Sequence, residues 1–141
     1  MNTQIVRNWM TSNPITITPQ TTLPEAHQLM EKYNIRRLPV INKGKLVGIV
    51  TRGDIREAQA SDATTLSIYE LNYLLDRTLA KDFMAYDPIT VAADAPIGEA
   101  ARRMVQHKIG GLPVVEYGEL VGIITETDLC RLLILQQEHE A

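Results

Sequence analysis

Two short constellations in this chain carry residue types suited to holding a sugar-phosphate, and each occurs twice. The first is Gly48-Ile49-Val50-Thr51-Arg52-Gly53-Asp54, with the counterpart Gly122-Ile123-Ile124-Thr125-Glu126-Thr127-Asp128. A carboxylate such as Asp54 or Asp128 can accept two hydrogen bonds from vicinal hydroxyls, as a ribose offers. The hydroxyls of Thr51 and Thr125, with free N–H groups at a helix start, suit phosphate or ribose oxygens. The strand glycine would let a flat ring approach the backbone. The same Thr-x-x-Asp spacing is also that of a plain helix cap, and the spacing alone leaves both readings open. The second constellation is Ile35-Arg36-Arg37-Leu38-Pro39, matched by Ile109-Gly110-Gly111-Leu112-Pro113. By itself it reads as a helix exit, where glycine suits the turn and proline stops continuation. Its arginines, with Arg52, offer forked donors to phosphate, as do Arg102, Arg103 and Lys108.

These motifs belong to a repeat. Shifted by 74 positions, Met10 falls on Met84, Pro14-Ile15-Thr16 on Pro88-Ile89-Thr90, Leu38-Pro39-Val40 on Leu112-Pro113-Val114, and Leu46-Val47-Gly48-Ile49 on Leu120-Val121-Gly122-Ile123. Two copies of one unit follow, residues 5–55 and 79–132. Each copy reads β-α-β-β-α. The turn dipeptides Asn13-Pro14 and Asp87-Pro88 lead into β-branched runs, Ile15 to Thr18 and Ile89 to Val91. A helix opened by Thr22-x-x-Glu25 continues through Ala26, Leu29, Met30 and Tyr33. Hairpins turn at Asn42-Lys43-Gly44 and at Glu116-Tyr117-Gly118, and second helices start near Arg52 and Glu126. The connector, residues 56–78, holds a loop over 61–65. It also holds an amphipathic helix, capped by Ser67-x-x-Glu70, with Ile68, Leu71, Leu74 and Leu75 on one stripe. The expected fold class is α+β, two pseudo-symmetric β-α-β-β-α units packed as one module.

The doubled order Met, Asp/Asn-Pro-Ile-Thr, hydrophobic-x-x-Leu-Pro-Val, Gly-x-x-Thr-x-x-Asp resembles a tandem pair of cystathionine beta-synthase (CBS) domains, a Bateman module, over residues 5–132. The resemblance implies two clefts between the units that bind adenosine-type ligands: AMP, ADP, ATP or S-adenosylmethionine. It places ribose on Asp54 or Asp128 beside Thr51 or Thr125. The base is implied to lie against the backbone of Thr16-Ile17 and Thr90-Val91 and near Leu38-Pro39 and Leu112-Pro113. It implies a non-catalytic regulatory role, a homodimer through helices, and output through a separate effector protein. The alternative is a ligand-free interaction module in which the motifs serve only as caps. The two copies differ in charge: Arg36, Arg37 and Arg52 in the first are Gly110, Gly111 and Glu126 in the second. Phosphate is therefore expected near the first copy's arginines.

Composition narrows the classes further. The chain has 141 residues, 45% hydrophobic and 22% charged, near the globular average. A net charge of -3 weighs against a nucleic-acid partner. No apolar run approaches a membrane span, and the N-terminal residues lack a signal-peptide h-region. A lone cysteine, Cys130, fits a reducing cytoplasm and is expected in the core. His27, His107 and His139 show no metal-ligand spacing, so no metal and no catalytic residue is assigned. The helix Leu129 to Leu135 is apolar nearly all round, which points to an interface.

Overall fold

The computed structural model describes residues 4–62 and 66–140. Its compact units do not coincide with the sequence copies. One is continuous, Ile15–Asp87; the other joins the segment ending at Pro14 to the chain from Pro88 onward. Each therefore takes one short segment from the other sequence copy: the continuous unit ends with the opening of the second copy, and the split unit begins with the opening of the first.

The continuous unit holds α1 (Leu23–Tyr33), β2 (Arg37–Asn42), β3 (Lys45–Thr51), α2 (Arg52–Asp62), α3 (Ile68–Arg77), the short α4 (Ala80–Phe83) and β4 (Ala85–Tyr86). Its sheet runs β2-β3-β4, antiparallel throughout. The split unit holds a 3-10 turn at Val6–Asn8, β1 (Thr11–Ser12), β5 (Val91–Ala92), α5 (Ile97–His107), β6 (Gly111–Glu116), β7 (Glu119–Thr125) and α6 (Glu126–Glu140). Its sheet runs β1-β7-β6-β5, with β5 parallel to β6. This is an α+β architecture built of two repeated units.

Local chemistry accounts for most elements. The Thr22 hydroxyl accepts from the Glu25 N–H at 3.3 Å, and the Glu25 carboxylate accepts from the Thr22 N–H at 3.0 Å, a reciprocal capping box at the start of α1. Both hairpins close on two-residue turns with positive φ at each position, Lys43-Gly44 and Tyr117-Gly118, the type I′ geometry that matches strand twist. Both carry a register shift at the same place, Val40/Ile41 and Val114/Val115. Consecutive residues are buried along β2, β3 and β6, Leu38-Pro39-Val40 and Gly48-Ile49-Val50 in one sheet and Leu112-Pro113-Val114 in the other, so both faces of these strands are covered. Leu23, Met30, Leu38, Val40, Val50 and Ile55 form one core, and Val6, Val91, Leu112, Val114 and Ile124 form part of the other.

Several sequence expectations change. Ile15 to Thr18 makes no strand; only Ile17 bridges Val40. The strands Thr11–Ser12 and Ala85–Tyr86 stand instead just before the Asn13 and Asp87 turns, whose positive φ suits asparagine and aspartate. The helix exits in the left-handed region are Asn34 and Lys108, not the glycines. The expected loop at 61–65 is helical through Asp62, and its remainder lies outside the described residues. Cys130 is exposed rather than in the core, because the buried side of α6 is carried by Asp128 and Leu132. The stripe on α3 is only partly covered: Leu75 packs on the core, while Ile68 and Leu74 are exposed.

The strand glycines also have a different role. A Cβ at Gly48 would lie 2.7 Å from Met84 Sδ and 2.9 Å from the Ala85 carbonyl oxygen; at Gly122 it would lie 2.5 Å from Met10 Sδ and 2.8 Å from the Thr11 carbonyl oxygen. That space is filled by a methionine and a neighbouring strand, so no flat ring can use it.

Gly48→Ala and Gly122→Ala should each destabilise the protein by about 1–3 kcal/mol, read by urea denaturation. Adding Met84→Ala to Gly48→Ala should recover only part of the loss, because the Ala85 carbonyl still blocks the new methyl group. Bonds from the Thr22 backbone and side chain hold the Glu25 carboxyl below its ordinary value. Its contribution is therefore present above the unfolded carboxyl range and lost as pH falls through the folded one. Glu25→Gln should flatten that acid limb in pH-dependent melting; an unchanged limb would contradict the capping box.

Candidate functional site

Both Thr-x-x-Asp motifs sit where a central strand ends and a helix begins, β3 into α2 and β7 into α6. The backbone frame is the same in both. The Arg52 N–H donates to the Arg36 carbonyl at 2.9 Å, and the Glu126 N–H donates to the Gly110 carbonyl at 3.0 Å. Each aspartate caps its own turn. Asp54 Oδ2 accepts from the Thr51 N–H at 2.9 Å, while the Asp54 N–H donates to Thr51 Oγ1 at 3.1 Å. Asp128 Oδ2 accepts from the Thr125 N–H at 2.8 Å and from the Thr125 hydroxyl at 3.3 Å. The cap is thus present in both copies, whatever else these groups do.

The two carboxylates differ in what remains. Asp128 is 4% exposed, and its Oδ1 accepts from Arg131 at 3.2 Å. Asp54 is half-buried, and its Oδ1 has no hydrogen-bond partner among the described residues. One carboxylate oxygen is thus still open in the first copy and engaged in the second.

The first copy's basic residues converge. Arg36, Arg37, Thr51, Arg52, Gly53 and Arg56 line one cleft of about 390 Å³ in the continuous unit. Arg52 is steadied by a bond from Nη2 to the Ile35 carbonyl at 3.2 Å. Asp54 follows Gly53 directly but does not line the cleft. Arg56 was not singled out by motif; its position four residues after Arg52, on one helix face, was the signal available.

Other sequence candidates are placed differently. The side chains of Ile17, Leu38, Val91 and Leu112 are buried in the two cores, Pro39 and Pro113 are buried beside them, and Thr16 is exposed. What the buried residues can offer a ligand is backbone. Arg103 is held by Glu99 at 2.7 Å and donates to the Thr90 carbonyl, so its charge anchors α5. Arg102 and Lys108 are exposed on α5 and its exit. Gly110 and Gly111 lead into β6, where Gly111 pairs with Thr125.

A larger hollow, about 660 Å³, lies in the split unit and includes Trp9, Leu132, Leu135 and His139 in its lining. None of the repeated hydroxyl, carboxylate or arginine groups faces it, so size alone does not mark it as the site. Among the described residues no group of three or more His, Cys, Asp or Glu side chains could hold a metal, and no helix is long and apolar enough to cross a membrane.

Comparison with known proteins bears on the family and the fold. The CBS domain family model matches residues 6–61 and 80–135. The inosine-5'-monophosphate dehydrogenase of Korarchaeum cryptofilum is 40% identical over 82% of this chain, which spans only 21% of that enzyme. The crystal structure of the CBS domain pair of protein MJ0100, in complex with 5'-methylthioadenosine and S-adenosyl-L-methionine, superposes with a TM-score of 0.80 at 31% identity, covering 94% of this chain and 97% of that one. The structure of CBSX2 in complex with AMP gives a TM-score of 0.78 at 26% identity, covering 94% of this chain and 98% of that one. With the same motif order in both copies and the same strand-to-helix frame at each site, the chain belongs to the CBS domain family, as a tandem pair.

Proposed function

We propose that this chain is a non-catalytic regulatory module that binds an adenosine-type ligand and passes its bound state to an effector outside these 141 residues. The observation that carries the reading is the arginine cleft at the start of α2, next to a carboxylate with one oxygen still open. Phosphate suits Arg36, Arg37 and Arg52, whose forked donors match its oxygens. The ribose hydroxyls suit Asp54, and the backbone beside Ile17 and Leu38 is left for the base. Related CBS pairs support the class of ligand, since the MJ0100 pair holds S-adenosyl-L-methionine and CBSX2 holds AMP. A ligand shifts the module only as far as it prefers one state over another.

A second reading is favoured at the second copy. Asp128 is buried and engaged by Thr125 and Arg131, and no arginine stands at positions 110, 111 or 126. There the motif serves first as a helix cap.

The module is also proposed to form a homodimer. Leu133, Ile134 and Leu135 on α6 are 56%, 56% and 40% exposed, more contiguous apolar surface than a lone helix usually leaves in water.

Replacing Arg36 and Arg37 together with alanine should weaken AMP binding by about tenfold or more in calorimetry. Asp54→Ala should do the same. Asp128→Ala should act mainly by lowering the melting temperature. Equal losses of binding at the two aspartates would overturn the assignment to the first copy. Light scattering at micromolar concentration should give the dimer mass, and Ile134→Glu should return the monomer; a monomeric wild type would end the dimer proposal.

A further inference from the structure

Ile68, Tyr69, Leu71, Tyr73, Leu74 and Leu75 make up most of α3, yet none of its residues is buried. The start of the helix is fixed locally, where Ser67 Oγ accepts from the Glu70 N–H at 3.2 Å. Leu75 packs on the core of the continuous unit, and Leu71, four residues earlier, lies on the same side. Tyr69 and Tyr73 then fall toward solvent, 84% and 61% exposed. With Leu66, Glu70 and Leu74 they line a hollow of about 430 Å³. Ten residues make a marginal helix in water, and exposed tyrosines beside aliphatic side chains are what a protein interface gathers at its centre.

Charge says what covers this face. Glu70, Tyr73, Leu74 and Arg77 recur at i, i+3, i+4 and i+7, on one side of the helix. The side is negative at its start, apolar in its middle and positive at its end. The Glu70 carboxylate makes no hydrogen bond or ion pair among the described residues. The Arg77 guanidinium lies over the Tyr73 ring, 3.6 Å from its centroid, and Nη1 donates to the Tyr73 carbonyl at 3.3 Å, which holds the charge on this side. A second α3 laid antiparallel across it sets Glu70 against the partner's Arg77 at both ends, with apolar side chains between. A parallel copy would set like charge on like. Antiparallel alignment also opposes the two helix dipoles. The face is thus its own complement about a two-fold axis. Tyr69, Tyr73, Ile68 and Leu74 offer roughly 500 Å² per copy, short of the roughly 800 Å² of a standard interface, so the contact is weak and reversible.

We propose that the outer face of α3 is a second self-association surface, on which two copies of this chain pair antiparallel with Glu70 on the partner's Arg77, joining α6 dimers into larger assemblies at high local concentration. The surface lies in the continuous unit and α6 in the split one, so the two contacts use different residues and can be removed separately. Nothing in the α3 contact depends on a bound ligand.

The test is sedimentation equilibrium of the full chain from about 10 μM to about 1 mM, with and without Ile134→Glu to remove the α6 contact. The Ile134→Glu chain should be monomeric at the low end and dimerise with a dissociation constant on the order of 100 μM; the chain without it should pass beyond the dimer over the same range. In the Ile134→Glu background, Glu70→Arg and Arg77→Glu should each weaken association by about tenfold or more, because the two-fold axis counts each reversal twice. An equal mixture of these two variants should regain it, since every arginine then faces a glutamate; a variant that had merely lost its fold could not be rescued by its opposite. Tyr69→Ser, which leaves both charges in place, should abolish the contact. A monomeric Ile134→Glu chain at about 1 mM would overturn the proposal, keep the α6 dimer and leave the face to a partner of another sequence. Association indifferent to Tyr69→Ser and to both charge variants, or a mixture no heavier than its components, would overturn the antiparallel α3 pairing. Association that needs α3 but ignores Ile134→Glu would uphold the α3 surface and overturn the α6 dimer.

Discussion

A strand glycine lying directly under a methionine is the contact on which each unit depends. Gly48 takes Met84 and the Ala85 carbonyl against its Cα, and Gly122 takes Met10 and the Thr11 carbonyl. Because no side chain intervenes, β4 reaches β3 and β1 reaches β7, so each central strand is flanked on both edges. The strand that completes each sheet belongs to the other sequence copy. Neither copy, taken as a stretch of sequence, is therefore a finished structural unit.

On this shared frame the two copies differ in electrostatics. The hydrogen bonds that set the strand-to-helix junction repeat almost atom for atom, from Arg52 to Arg36 and from Glu126 to Gly110. These are backbone bonds, indifferent to side chain, so the side chains at those positions were free to diverge without disturbing the fold. One copy concentrates guanidinium groups around an open cleft. The other buries its carboxylate against a threonine and an arginine from one turn further along α6. A repeated backbone frame thereby carries two unlike sets of side chains.

The sequence made legible whatever is decided within a few residues. Thr22 and Glu25 cap α1 as their spacing requires, and Lys43-Gly44 and Tyr117-Gly118 turn the hairpins. The repeat offset located both motifs, and the resemblance it supported led to the family. What depends on distant partners was hidden. Thr11–Ser12 and Ala85–Tyr86 are two-residue strands that exist only because β7 and β3 accept them, and no periodicity can show in so short a run. Gly48 and Gly122 read as places for a ligand because the methionines that cover them lie elsewhere in the chain. Cys130 reads as core on composition, yet the helical phase set by Asp128 and Leu132 turns it outward. Arg56 was missed because a motif match ends at Asp54, whereas a cleft gathers whatever the next turn of helix presents.

The crossed connectivity also orders events during synthesis. Ile15–Asp87 is a contiguous stretch, and β4, its last strand, lies near the end of that stretch, so this unit can close while the rest of the chain is still being made. The other unit cannot. Thr11 pairs with Ile123, so the opening segment must wait, unpaired, until β7 has emerged. During that interval Val6, Trp9 and Met10, which later pack into a core, have no partners from their own unit to shelter them. The segment around Val6–Met10, translated well before β7, is among the last to be protected, and it is where a nascent chain of this kind is most open to capture by a chaperone or to mispairing with a neighbour on the same polysome.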